Sequence, residues 1–443
     1  MKIGMQTWGS HGDVRPFLAL AEGLRAAGHD VHLVIVALRD GDHRDLASCD
    51  GLRITVLDGP VGDAAEIERL AQAGAEVRNP VKQMNAIMQR LFAPVEDAMF
   101  ASSQALCATS DVVVGHYFTH PLQTAAEHAG RPYVSVLLSH AGIPSDHDHP
   151  VGQPWMGKAG NRFLWWLTRR LMNGVLLPYP NRIRARLGMA PLVDIIGQSW
   201  LSPDLTLAAI SPQIARRQPD WPDNLHVSGF LDRPDLAMDG SLPSTLSAFL
   251  AAGDAPVYMT FGSWMPRDAE GQTRVLHLLT RAARLAGCRA IIQSEDAHAC
   301  GFTSSDRILY MAAAPHAAVF PACRAVVHHG GAGTTQAATL AGAPSIVVAH
   351  ISEQEHWARE LRRLGIGGKP LARRRLTAVA LARRIRVAAE TPRMREQAQA
   401  IAARMRREDG VAAAVRLIER HVGTPGATGA IAAGTRPQAV APG

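Results

Sequence analysis

Short apolar runs alternate with amphipathic stretches from the first residues onward. "KIGMQTW", "DVHLVIV", "LRITVL", "DVVVGH", "PYVSVLL" and "LTLAAIS" are too brief and too evenly apolar to be one face of a helix, and stretches of helical periodicity separate several of them. Strands of this kind, joined by helices, predict a parallel sheet covered on both faces. "QIARRQPDWPDNLHVSGFLDRPD" then breaks the rhythm with proline and aspartate and reads as a linker. After it the pattern restarts: "APVYMTFGSW" runs into the helix "RVLHLLTRAARLAG", and further strands follow at "RAIIQS", "ILYMA", "AVVHHGG" and "PSIVVA". Two doubly wound α/β halves follow, with an N-terminal domain at 1–215, a linker at 216–240 and a C-terminal domain at 241–405. A helix at 406–421 has scope to cross back to the first domain. The segment 422–443 is Gly-, Ala-, Pro- and Thr-rich, buries too little surface to fold and is expected to be disordered.

Length agrees with this division, since 443 residues exceed what one core accommodates. No apolar run reaches the ~20 residues of a membrane span; "FLWWLTRRLMNGVLLPY" is interrupted by Arg169 and Arg170. The N-terminus has no signal-peptide core, so a cytoplasmic protein is expected. Five cysteines (49, 107, 288, 300 and 323) with no CxxC pair argue against a disulfide scaffold or a zinc ribbon. The net charge of +7 is concentrated between Arg362 and Arg420, where sixteen Lys/Arg face five Asp/Glu. Arginines alternating with alanines at helical spacing are best read as a solvated helix face. Nucleic acid is not an expected partner; peripheral contact with an anionic membrane surface stays open.

Two glycine turns carry the chemistry. In "GSHGDVRP", Gly9 and Gly12 let a strand reverse into a helix, and Asp13 falls in the first helical turn, where a carboxylate serves as cap or as base. In "AVVHHGGAGTTQAATLAG", a second strand ends in glycines before a helix whose free N–H groups can cradle a phosphate. Thr334 and Thr335 add hydroxyls, and His329 adds an imidazole. The stretch matches neither GxxxxGK[ST] nor GxGxxG.

Together these motifs resemble the GT-B glycosyltransferases that use nucleotide-diphosphosugars, among them sterol glucosyltransferases and bacterial enzymes that glycosylate antibiotic aglycones. Three stretches carry the resemblance, in order: "GSHGDVRPF", "PHAAVFPACRAVVHHGGAGTT" and "SEQEHWA". It covers residues 1 to about 420. It implies a GT-B fold, two facing Rossmann-like doubly wound domains, with Asp13 as catalytic base. Donor-binding residues would be Ser263, His329, Gly331, Gly333 and Thr334 around the diphosphate, and Glu353 and Gln354 at the hexose hydroxyls. The implied reaction is inverting transfer of a hexose from a UDP- or dTDP-sugar to a hydroxyl of a hydrophobic acceptor such as a sterol, polyketide or lipid-like aglycone. No cofactor and no metal are implied, since the nucleotide sugar is a co-substrate. Where plant members stack uracil on tryptophan this chain has Ala313, and where they bind ribose through glutamate it has Ala337, so base recognition must be different. A catalytically silent nucleotide-binding partner and a nucleotide-sugar 2-epimerase are the alternatives. Asp13 with Glu353 and Gln354 argues against the first, and "GSHGDVRP" against the second.

The loop "SHAGIPSDHDHP" gathers His140, Asp146, His147, Asp148 and His149. A proline-containing loop fixes no ligand geometry, so it is read as a polar edge of the acceptor cleft, with His140 a candidate acceptor contact. His11, by its proximity to Asp13, and Trp165, on an amphipathic stretch, are the other candidates for acceptor binding. Oligomeric state is not legible.

Overall fold

The structure, a computed structural model, describes residues 1–38, 42–48, 51–59, 80–233, 236, 242–266 and 268–422. Residues 423–443, expected to be disordered, lie outside the described residues, as do part of the expected linker and Cys49.

The first sheet contains β1 (Lys2–Gly9), β2 (Asp30–Ala37), β3 (Arg53–Leu57), β4 (Val112–His116), β5 (Tyr133–Leu137), β6 (Leu205–Ala208) and β7 (Leu225–Val227). Its order is β3-β2-β1-β4-β5-β6-β7, with every pairing parallel. Alternate residues serve opposite faces, as the pleat demands: Leu33 and Ile35 of β2 join one core cluster, and Val34 and Val36 join the other. Strand β7 lies inside the stretch read as linker at 216–240. Only Leu225–Val227 is extended, which is too short for a period-two signal.

The second sheet holds β8 (Val257–Met259), β9 (Ala290–Gln293), β10 (Ile308–Met311), β11 (Ala325–His328), β12 (Ser345–Ala349) and β13 (Leu371–Ala372). Its order is β10-β9-β8-β11-β12-β13, again parallel. In both sheets the order reverses once, between β1 and β4 and between β8 and β11. Open α/β sheets bind ligands outside the strand C-termini at such points. The turn carrying Asp13 follows β1, and the one carrying His329 follows β11.

Two devices join the halves. Leu137, Ile143, Ala208, Ile210 and Ile214 of the first pack with Val347, Trp357, Leu361 and Ile401 of the second in one buried cluster. The helix Gly410–Val422 returns to the first domain, where Val411, Ala414 and Ile418 share a core with Phe17 and Leu20. A side chain at Gly23 would collide with Val411 there. Among the described residues no helix is long and apolar enough to cross a membrane.

Candidate functional site

The turn after β1 is built around a carboxylate folded back on the backbone. Asp13 Oδ2 accepts the Ser10 backbone N–H at 2.9 Å and the Ser10 hydroxyl at 3.3 Å. Gly9 has φ +141°, and a Cβ there would collide with Asp13 Oδ2, so only glycine fits. One oxygen thus caps the helix His11–Ala26. The other, Oδ1, stands 3.8 Å from His116 Nε2 at the end of β4.

Burial pushes the Asp13 carboxyl up to about 6 against the pull of the Ser10 amide, and the nearby Glu353 charge pushes the same way. His116 is itself neutral, driven down to about 3 by burial. Its Nδ1 accepts the Phe118 N–H at 3.4 Å, so its proton sits on Nε2, which is buried and has no hydrogen-bond partner. His116 is a site residue that sequence reasoning missed, because "DVVVGH" reads as a plain buried strand.

Glu353 comes from the opposite domain, in the first turn of the helix Ser352–Arg363. Its Oε1 accepts the Trp357 indole N–H at 3.2 Å, and its carboxyl is raised by burial against hydrogen bonds from Trp357 and Ser139. Gln354, beside it, is buried, and its Oε1 accepts the backbone N–H groups of His350 and Ile351 at 2.7 and 3.3 Å. The side-chain oxygen of this residue, expected at the hexose, is committed to closing the helix start. Tyr117 lies near both carboxylates: its phenol is raised by burial, then by the Glu353 and Asp13 charges.

At the second turn, the helix Ala332–Leu340 starts from Gly331 with no side-chain cap, leaving its first N–H groups to an incoming acceptor. Gly333 and Thr334 lie in that first turn, partly exposed. The His329 ring is wedged between Gly331, where a Cβ would collide with Nε2, and Gly262, where one would stand 3.0 Å from Cε1. Burial, then His316, lowers the ring to about 4, so it stays neutral, and its Nδ1 is buried without a hydrogen-bond partner. Ser263 is exposed in the turn Gly262–Trp264 that follows β8. Arg373, read from sequence as part of a solvated stripe, lies over the Phe261 ring at 5.8 Å, and its charge helps to lower His350. Gln336 ties this helix to the other domain: it accepts the Ser211 N–H at 2.8 Å and donates to the Ala209 carbonyl at 3.2 Å. Nothing in "TTQAATLAG" marks that contact.

The candidate acceptor residues are dispersed. His11 is exposed, edge-on to His43 with ring centroids 4.9 Å apart. His140 is buried between the domains against His356 rather than on an open edge, because the second domain covers the turn after β5. Trp165 is 6% exposed, packs in the core and donates its indole N–H to the Asp148 carbonyl at 2.9 Å. It also borders a surface cavity of about 710 Å³ beside the exposed Trp166. A different aromatic set surrounds Tyr117, whose phenol feels the Asp13 charge. Tyr117 stacks near Phe118 at 4.3 Å, Phe118 meets Trp200 at 5.6 Å and Trp8 at 6.3 Å, and Tyr117 meets His116 at 4.6 Å.

Residues 3–134 match the glycosyltransferase family 28 N-terminal domain, and residues 283–418 match the C-terminal domain of erythromycin biosynthesis protein CIII-like proteins. The chain is 32% identical over 434 residues to an O-mycaminosyltylonolide 6-deoxyallosyltransferase of Streptomyces fradiae, covering 95% of this chain and 97% of that one. It is 26% identical over 434 residues to a sterol 3-beta-glucosyltransferase of Arabidopsis thaliana, covering 95% of this chain and 66% of that one. Among solved structures, the glycosyltransferase SsfS6 of Streptomyces sp. SF2575 in complex with thymidine diphosphate aligns with TM-score 0.61 and 20% identity, over 95% of this chain and 99% of that one. The glycotransferase of kitacinnamycin aligns with TM-score 0.66 and 17% identity, over 95% and 98%.

Proposed function

This chain belongs to the GT-B glycosyltransferases related to antibiotic and sterol glycosyltransferases, and within that family we propose that it is an inverting hexosyltransferase using a UDP- or dTDP-sugar and a hydroxylated hydrophobic acceptor. The observation that carries the reading is the division of labour in Asp13: Oδ2 is held by Ser10 while Oδ1 faces the space next to Tyr117 and His116. A carboxylate pushed up to about 6 is a stronger base than an exposed aspartate and is still ionised at neutral pH.

In the proposed reaction Asp13 removes the proton from the acceptor hydroxyl. The acceptor oxygen bonds to the anomeric carbon, and the carbon–oxygen bond to the nucleoside diphosphate breaks on the opposite face, its electron pair leaving with the phosphate. Charge developing on the diphosphate is met by the unpaired N–H groups at Gly333 and Thr334, the neutral His329 ring as a hydrogen-bond donor, and Ser263. With these donors the transfer step needs no added Mg²⁺ or Mn²⁺. Glu353 and Gln354 orient the hexose, and the thymidine diphosphate bound to the SsfS6 relative supports a dTDP-sugar as one donor to try first.

The test is transfer from radiolabelled UDP- and dTDP-hexoses, alone and with a panel of hydrophobic alcohols, in buffer without Mg²⁺ or Mn²⁺. Acceptor-dependent product with inverted anomeric configuration by proton NMR is expected. Nucleotide binding with no turnover across the panel favours the silent partner, and conversion of the donor to its 2-epimer favours the epimerase.

A further inference from the structure

Two imidazoles and a carboxylate from both domains converge one helical turn beyond Glu353. His140 Nε2, from the turn after β5, faces His356 Nε2, from the helix Ser352–Arg363, at 2.9 Å. A carboxylate oxygen of Asp148 joins them, all three ligand atoms lying within 4.8 Å of one another. His149 borders the group on the Asp148 side: its Nδ1 stands 3.8 Å from Asp148 Oδ1 and is buried with no hydrogen-bond partner. The loop that fixes no geometry alone is given one by the opposite domain.

We propose that His140, Asp148 and His356 form a binding site for a zinc-like divalent cation, which ties the loop of the first domain to the helix that carries Glu353. Two nitrogens and one carboxylate oxygen, with the fourth position left to water, suit a tetrahedral borderline cation, whereas Mg²⁺ and Ca²⁺ require oxygen ligands. Bonds of about 2.0–2.1 Å at tetrahedral angles set two nitrogens roughly 3.3–3.4 Å apart, so the facing imidazoles need to part by only about half an ångström. At 2.9 Å one Nε2 carries a proton toward the other, and a cation binding there displaces that proton to Nδ1 or to solvent. Two guanidinium groups stand close by. Arg363 is engaged by Glu360 and the Ile214 carbonyl, while Arg359 competes with the cation for the Asp148 carboxylate. That competition favours an ion held chiefly through nitrogen. The cation here is structural and does not enter the transfer step, so the proposal stands independently of the glycosyl-transfer reading.

The experiment uses the tag-free full chain, titrated calorimetrically with Zn²⁺ alone and with Mg²⁺ as a control, and loaded with Co²⁺ for its visible spectrum. One Zn²⁺ per chain, no Mg²⁺ heat, the strong visible bands of tetrahedral Co²⁺ and a Zn²⁺-dependent rise in Tm are expected. His356→Ala and Asp148→Asn should each weaken Zn²⁺ at least about tenfold, since even outer-shell changes cost that much. Circular dichroism of the metal-free variants checks folding; if His356→Ala does not fold, Asp148→Asn on the loop decides alone. Absence of stoichiometric Zn²⁺ binding to the wild type, a pale octahedral Co²⁺ spectrum, or undiminished binding in a folded variant overturns the proposal.

Discussion

Asp13 uses its two oxygens differently, and that bears on a choice its sequence leaves open. A residue in the first turn of a helix after a glycine turn reads equally as cap or base; here Oδ2 caps through Ser10, while Oδ1 is left to face His116 Nε2 at 3.8 Å. The raised carboxyl makes three predictions. First, kcat/KM should climb with pH through an apparent pKa near 6 as Asp13 loses its proton. Asp13→Asn should remove that limb and lower kcat by roughly 10²- to 10⁴-fold while donor affinity, measured calorimetrically, stays within about twofold. Second, stability should follow the same group with a definite sign. A carboxyl whose folded pKa lies above its unfolded value favours folding at low pH, and the benefit is lost as pH rises through about 6. Asp13→Asn should therefore raise Tm at pH 8 and lose that advantage toward pH 4; a variant less stable at pH 8 would show that capping outweighs desolvation. Third, His116→Ala withdraws the Nε2 proton that faces Oδ1, so the limb should move upward in pH and kcat fall roughly tenfold. Asp13 was legible because a glycine turn and a motif announce it. His116 was not, because a histidine ending a buried strand has no local signature.

The proposed donor side belongs to the scale of an element. A strand running through glycines into an uncapped helix is visible in "AVVHHGGAGTT", since helix ends without a capping side chain leave N–H groups to be satisfied from elsewhere. His329 adds what the helix lacks, a donor fixed by packing between Gly262 and Gly331. His329→Ala should lower kcat and kcat/KM together by about 10²-fold, the behaviour of a group that acts on developing charge, with the donor dissociation constant little changed. A rise confined to KM would assign the ring to ground-state binding. The sequence concealed the element-scale partners of this turn. Arg373 looked like one more arginine in a solvated stripe, and only the packing of β13 beside β12 brings it over Phe261. Strand β7 was equally hidden, because three residues in a proline-rich segment make no period.

At the scale of the molecule, the alternation of apolar runs and helices made two parallel sheets legible, and the rule of ligands at switch points placed both turns on facing edges. What it could not supply was the contact between halves: Gln336 on Ser211 and Ala209, or His140 on His356, join positions more than a hundred residues apart with no shared pattern. The same limit governs the acceptor. Sequence periodicity pointed to Trp165, yet that ring is packed at 6% exposure with its indole N–H committed to Asp148, so Trp165→Ala should act first on folding. The partly exposed rings at the Asp13 end of β4 are instead Tyr117 and Phe118, backed by the buried Trp200 and Trp8, a set assembled from three separate stretches of chain. Aromatic faces beside a half-buried carboxylate suit an apolar molecule that presents one hydroxyl for deprotonation. Sterol-, polyketide- or lipid-like alcohols should therefore be transferred to far faster than glucose or glycerol. Phe118→Ala should raise KM for such an acceptor about tenfold or more, as expected for losing a buried aromatic contact, while leaving acceptor-independent hydrolysis of the donor unchanged. Equal rates with glycerol, or a Phe118→Ala enzyme with unaltered acceptor KM, would assign that wall to packing alone.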